Sequence, residues 1–338
     1  MLSPPFLRDL SDVESIVVPL LNEAAMAHIS RLPNLKSLAF DVFPDNWSAP
    51  VVHTTQTFQA LHELTLCYPT VDESIAFVEW LSQVPLTSLT IDFSSGVDPS
   101  QMHALLSAVS AGILHPCLSK LSIGSDCTRS AGYCVENRSL RLLFCFVNLT
   151  DVSIAAGGGY DIDDSMVADL SLAWPLIENL RLTDGETRTT LACLSSFVAN
   201  CPRLTGLGLA FNTTVIPHAT TTAVHGLASL DVSCSTISIS KIVPVARFLA
   251  AIFPELKQLD AARNGAPPAD SDDEEGIARY DEAMESKRCW KEVESLCYNI
   301  NFPSIPSCHW TRIMISVVVN ACGVESQLEH FSIEIHHE

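Results

Sequence analysis

A hexamer of the form apolar-x-x-apolar-x-apolar returns nine times along this chain, and its recurrence restricts the fold more than any other feature. It reads Leu35-Leu38-Phe40, Leu61-Leu64-Leu66, Leu86-Leu89-Ile91, Leu118-Leu121-Ile123 and Leu149-Val152-Ile154. It continues as Ile177-Leu180-Leu182, Leu204-Leu207-Leu209, Leu227-Leu230-Val232 and Leu256-Leu259-Ala261. Successive first positions lie 26, 25, 32, 31, 28, 27, 23 and 29 residues apart. A leucine-rich chain produces one such hexamer by chance, but nine in near-regular succession need a structural cause.

The spacing supplies that cause. The last two apolar residues of each motif stand two apart, so they face the same side of a short strand. The first lies in the turn before the strand and fills the same interior. One coil alone cannot bury this row, whereas stacked coils lay their strands side by side and bury a continuous ladder. The expected fold is α/β: a leucine-rich-repeat solenoid, a horseshoe with parallel strands on the concave face and helices on the convex face. An Asn or Cys three residues after the third apolar position, the usual companion of this motif, is found only at Asn212 and Asn264, with Cys234 one residue early. The coils are therefore expected to be long and loosely patterned.

Between motifs the apolar period changes from two to helical. Helices are expected over Glu73 to Val84, Gln101 to Leu114, Asp164 to Trp174, Thr187 to Asn200 and Ile242 to Phe253, with caps at Asp72, Ser100 and Asp163. Pro33, Pro85, Pro116, Pro175, Pro202 and Pro254 stand between helix and strand, where proline stops the one and fixes an extended entry to the other. Residues 1–31 read as an N-terminal capping coil with a helix near Asn22 to Ser30, and 32–262 as the solenoid. Residues 263–282, with Gly265, Pro267, Pro268 and the acidic run Asp270 to Glu275, read as an exposed loop. Residues 283–338 read as a C-terminal cap, with Trp290, Val293 and Leu296 at helical spacing; Ile313 to Val319 fits a strand or a helix equally.

Composition narrows the function. Apolar residues make up 47% of the chain, enough for a continuous core. Nineteen basic against 39 acidic residues give a net charge of −20, which argues against nucleic acid as a partner. The run Ile313 to Val319 is far shorter than the ~18 residues that span a membrane. Twelve cysteines without any Cys-x-x-Cys, and a start (Met1 to Leu10) without a secretory pattern, suggest free thiols and a cytoplasmic or nuclear location.

The stretches LPNLKSLAF, CPRLTGLGL and FPELKQLDA resemble the repeat region of fungal F-box proteins with leucine-rich repeats, and the acidic run followed by WKEVESL is similar to the way many such chains end. The resemblance covers roughly residues 16 to 298. It implies a protein-binding role, as the substrate-recognition part of an F-box-type ubiquitin ligase component. In that family an N-terminal F-box holds the adaptor of a cullin–RING ligase. No Leu-Pro-x-Glu opening precedes the repeats here, and Phe6 to Leu21 is too short to replace it. The adaptor is therefore expected as a partner only if an F-box lies upstream; without one the chain reads as a free-standing repeat scaffold.

The expected contact surface is the concave sheet face, whose side chains alternate with the buried ones. Its candidate residues are Asp41, Glu63, Asp92, Lys120, Asp151, Asn179, Arg181, Asp231, Gln258 and Asp260. Small residues lie among them, including Ser37, Thr65, Ser88, Ser122, Ser153 and Gly208. No catalytic signature, cofactor or metal motif is present, so an enzyme is not expected. Gly157-Gly158-Gly159 lacks the Lys and Ser/Thr of a phosphate loop, and Asp161, Asp163 and Asp164 beside it would repel phosphate. His330 and the terminal His336-His337-Glu338 are read as an exposed end and not as a chelate. The motif register makes one firm prediction: Leu121→Asp places an unpaired charge in the ladder and costs several kcal/mol. Circular dichroism and thermal melting should show the loss; an unchanged melt would mean that the register is wrong at that coil.

Overall fold

The computed structural model describes residues 12–42, 57–81, 84–125, 134–155, 159–183, 188–217, 225–232, 235–261 and 274–301. Every one of the nine hexamers forms a strand. In chain order these are β2 (Ser37–Val42), β3 (Glu63–Cys67), β4 (Ser88–Phe93), β5 (Lys120–Ser125), β7 (Asp151–Ala155), β9 (Asn179–Thr183), β10 (Gly206–Leu209), β11 (Ser229–Asp231) and β12 (Gln258–Asp260). A tenth, β1 (Ser15–Leu20), pairs parallel with β2, so the N-terminal coil contributes a full strand. The sheet order is β1-β2-β3-β4-β5-β7-β9-β10-β11-β12, parallel throughout. Two short strands, β6 (Val135–Glu136) and β8 (Tyr160–Asp161), make a separate parallel pair.

The register is uniform. Second motif positions face one another across every interface, from Leu38 and Leu64 through Leu121 and Val152 to Leu230 and Leu259. All are buried, as are the first positions, and they join one core that runs from Ile16 to Cys297. Full burial of a Leu or Ile is worth about 1.5–3 kcal/mol, and each interface repeats that gain.

A hydrogen-bond pattern just before the strands holds this register. In each coil one carbonyl accepts two consecutive N–H groups of the next coil. Glu14 accepts from Lys36 and Ser37, Lys36 from His62 and Glu63, His62 from Thr87 and Ser88, and so on to Ala228, which accepts from Lys257 and Gln258, all at 2.7–3.1 Å. Hydroxyls reinforce it: Thr87, Ser119, Thr150 and Thr205 donate to the same carbonyls of His62, Thr87, Ser119 and Glu178.

The helices are α1 (Glu23–Ile29), α2 (Val71–Trp80), α3 (Pro99–Gly112), α4 (Asn137–Arg141), α5 (Asp164–Ala173), α6 (Leu194–Asn200), α7 (Ile242–Ile252) and α8 (Glu274–Asn301). Two caps differ from the sequence expectation. Thr70 and Asp98, not Asp72 and Ser100, cap α2 and α3, because Glu73 and Gln101 three residues on complete reciprocal capping boxes. Asp163 caps α5 as expected, and its carboxyl is held below the usual range by the Met166 N–H and then by the Ser165 hydroxyl. Where Thr187 to Asn200 suggested a single helix, a 3-10 turn over Leu191–Cys193 leads into α6.

Proline ends the helices as the sequence implies. Trp174, Cys201 and Phe253 leave helical geometry immediately before Pro175, Pro202 and Pro254. Their carbonyls then accept the N–H of Ile177, Leu204 and Leu256, the first residue of the next motif. One turn thus both closes the helix and seats the apolar residue. Neighbouring strands lie about 4.8 Å apart and packed helices about 8–10 Å, so the stack bends with its sheet inward. The fold is a leucine-rich-repeat solenoid.

The sparse Asn positions are made good by hydroxyls on the side where the chain leaves the strands. Thr189 donates to the Ala210 carbonyl at 2.5 Å, Ser235 accepts the Phe211 N–H at 2.8 Å and Thr213 donates to Thr236 at 2.8 Å. Asn212 bridges Thr190 and Thr236; Asn264 and Cys234 lie outside the described residues.

The loop expected over 263–282 ends earlier than its composition suggested, because α8 begins at Glu274. The last two residues of the run, Glu274 and Glu275, already belong to that helix. Ser286, Cys289, Trp290, Val293, Leu296 and Cys297 form its buried face. The Ser286 hydroxyl and the Trp290 indole both donate to Ser235 O at 3.0 Å, and Glu294 accepts the N–H of Leu259 on edge strand β12 at 3.3 Å. The readings at Met1 to Leu10, Ile313 to Val319, His330 and His336 to Glu338 lie outside the described residues. Trp290→Ala removes a buried aromatic and its hydrogen bond, at a cost of about 3–5 kcal/mol. Urea melts followed by hydrogen exchange should show β11 and β12 opening first, with β4 and β5 little changed.

Candidate functional site

The uniform register arranges the outward residues of the sheet in three rows that cross the strands. The row at the strand starts contains Glu63, Ser88, Lys120, Asp151, Asn179, Gly206 and Gln258. The middle row is Ala39, Thr65, Thr90, Ser122, Ser153, Arg181, Gly208, Asp231 and Asp260. The third row, towards the strand ends, carries Asp41, Cys67, Asp92 and Gly124. All ten residues singled out from the sequence lie on this inner face, and Glu63, Lys120, Asn179, Arg181 and Gln258 are exposed there.

The two halves of the face differ. In the C-terminal half the side chains engage one another. Asn179 donates to the Asp151 carboxylate at 2.8 Å, and Gln258 donates to Asp260 at 2.8 Å. Arg181 reaches Asp231 at 3.3 Å although the two stand two strands apart. The residue between them in the same row is Gly208, which has no side chain to obstruct the crossing. Asn179 uses the same opening one row over: a Cβ on Gly206 would stand 2.6 Å from its Oδ1.

In the N-terminal half the floor is small, built of Ala39, Thr65, Thr90, Ser122 and Ser153. A depression of 240 Å³ lies over β4, β5, β7 and β9; Thr90, Lys120, Ser122, Ser153 and Arg181 are among its lining residues. On the third row burial, then the carboxylates of Asp41 and Asp92, push the Cys67 thiol up. Tyr68, directly after β3, is 57% exposed and sits in the left-handed region at φ 58°, its N–H bonded to the Asp92 carbonyl at 2.6 Å.

No family model and no curated protein matches the chain. A solved structure with some likeness is the leucine-rich-repeat-containing protein LegL7 from Legionella pneumophila. It is 11% identical, its match covers 80% of this chain and 97% of that one, and the TM-score is 0.31. The repeat reading therefore rests on the strand order and register above.

Among the described residues no three His, Cys, Asp or Glu are grouped to hold a metal ion, and no helix is long and apolar enough to cross a membrane. Burial pushes the thiols of Cys201 and Cys297 up to about 12, so at neutral pH they stay protonated.

Spacing alone puts Thr90 on the floor as readily as Ser122, but nothing in the sequence marks Gly208 as the opening for a side chain crossing, or Tyr68 as a rim residue. A double-mutant cycle on Arg181→Ala and Asp231→Ala should give a coupling of about 0.5 kcal/mol, discounted for the exposed guanidinium. In a Gly208→Leu background the coupling should fall to near zero; an unchanged value would mean that the pair does not depend on the gap.

Proposed function

We propose that this chain docks another protein on its inner sheet face. In the finer form of that reading it is the substrate-recognition part of an F-box-type ubiquitin ligase component. The observation that carries the docking role is a ten-stranded face whose polar rows are set in a fixed array, half-buried over most of the floor and exposed at Glu63, Lys120, Asn179, Arg181 and Gln258. Such a surface offers many spaced donors and acceptors without ordering cost, since the strands beneath are already rigid. The resemblance of LPNLKSLAF, CPRLTGLGL and FPELKQLDA to fungal F-box repeat regions supports the ligase role. Under that role the adaptor of a cullin–RING ligase is a second partner, held by a module outside the repeats.

The test is affinity purification from cells with an inner-face block. Thr90→Trp with Ser122→Trp fills the floor, while Leu172→Trp alters an exposed site on α5. A docked partner should fall at least tenfold in the first variant and stay within twofold in the second. Presence of the adaptor in both purifications supports the ligase role, and its absence from both leaves a free-standing scaffold. Partner recovery insensitive to the floor block would overturn the docking face itself.

A further inference from the structure

The inner face carries more acids than bases, and in its N-terminal half they flank a floor of small residues. From β9 onward the charged and amide groups are turned towards each other, as Arg181 is to Asp231 and Gln258 to Asp260. From β2 to β5 the acids outnumber the bases: Asp41, Glu63 and Asp92 stand against Lys120 alone. Asp41 and Glu63 form no ion pair among the described residues, and the Asp41 carboxylate accepts only from the Cys67 thiol beside it. The acids also flank the floor on both sides, with Glu63 on the row of strand starts and Asp41 and Asp92 on the row of strand ends.

Resting on the docking role proposed above, we propose that this half binds a short extended polypeptide segment bearing Lys or Arg side chains. The segment runs across the strands from β2 to β7, above the floor of small residues. Four strand spacings of about 4.8 Å give a track of about 19 Å, the length of roughly six extended residues. Beyond the far end of the track, Arg181 on β9 is turned away across Gly208 to Asp231. At the acidic end the exposed ring of Tyr68, next to the third-row carboxylates, adds a surface on which a cation can stack. A net charge of −20 attracts such a segment over long range and opposes an acidic or phosphorylated one. Lys120 places one favourable acid in the segment, near the middle of the track.

The experiment uses the full chain and fluorescein-labelled pools of seven-residue peptides in about 150 mM salt, where exposed charges beyond ~8 Å are screened. One pool is biased to Lys and Arg, one to Asp and Glu, and one carries phosphoserine. Anisotropy titrations compare the wild type with Asp41→Asn/Glu63→Gln/Asp92→Asn and with Glu79→Gln/Glu255→Gln/Glu282→Gln, an equal change of charge at exposed sites outside the face. The expected result is preference for the basic pool, weakened about tenfold by the inner-face triple and less than twofold by the outer triple.

Equal weakening by both triples would overturn the proposal, leaving only general attraction to an acidic chain. Preference for the acidic or phosphorylated pool, lost on Lys120→Ala, would overturn the partner class while keeping the docking face. Failure of every pool to bind would overturn the peptide track, and the floor-block purification would then decide whether the face docks anything. Should the inner-face triple melt early, Glu63→Gln alone, fully outward on β3, should still give about a twofold loss.

Discussion

One carbonyl per coil, shared by two N–H groups of the next, is the interaction on which the rest of this structure depends. It sits in the turn before each strand and recurs at every interface from Glu14 to Ala228. Its geometry forces consecutive coils to start their strands at the same level, so second-position residues meet second-position residues. A slip of one residue would turn every buried Leu outward, and the repeated two-bond contact resists that slip at each step. The core and the inner face are two consequences of this register.

The same constraint explains how coils of unequal length coexist. The number of residues between consecutive strands of the sheet varies, from 16 between β1 and β2 to 26 between β4 and β5. The fixed turn absorbs none of this variation; it is taken up on the outer side. There hydroxyls on Thr189, Thr213 and Ser235 take over the backbone groups that an Asn ladder would satisfy. Where two helices come close, Gly112 permits the approach, since a Cβ there would stand 2.9 Å from Val78 O. β1 and β12 are the two outermost strands of the sheet, and at β12 a carboxylate of α8 takes an outward N–H.

The strands were legible in the sequence because the period of two and the turn before it are local properties. All nine hexamers became strands, and Pro175, Pro202 and Pro254 marked true helix ends. Helix starts were less legible: Asp72 and Ser100 are good capping residues, and only the reciprocal bond from Glu73 or Gln101 decides for Thr70 and Asp98. The onset of α8 was hidden because an acidic run looks like solvated loop. On the inner face, alternation placed the ten candidate residues on one surface. It could not show which of them pair, since Arg181 and Asp231 are 50 residues apart and meet only through the gap at Gly208.

The most direct test of the register is hydrogen exchange at the turn amides. Thr87, Ser119, Thr150, Glu178 and Thr205 lie before their strands by ordinary assignment and would exchange at loop-like rates if they were only loop. The shared-carbonyl arrangement predicts protection comparable to that of Leu89, Leu121 and Leu180 inside the strands. Rapid exchange at those five amides, with the strands still protected, would contradict it.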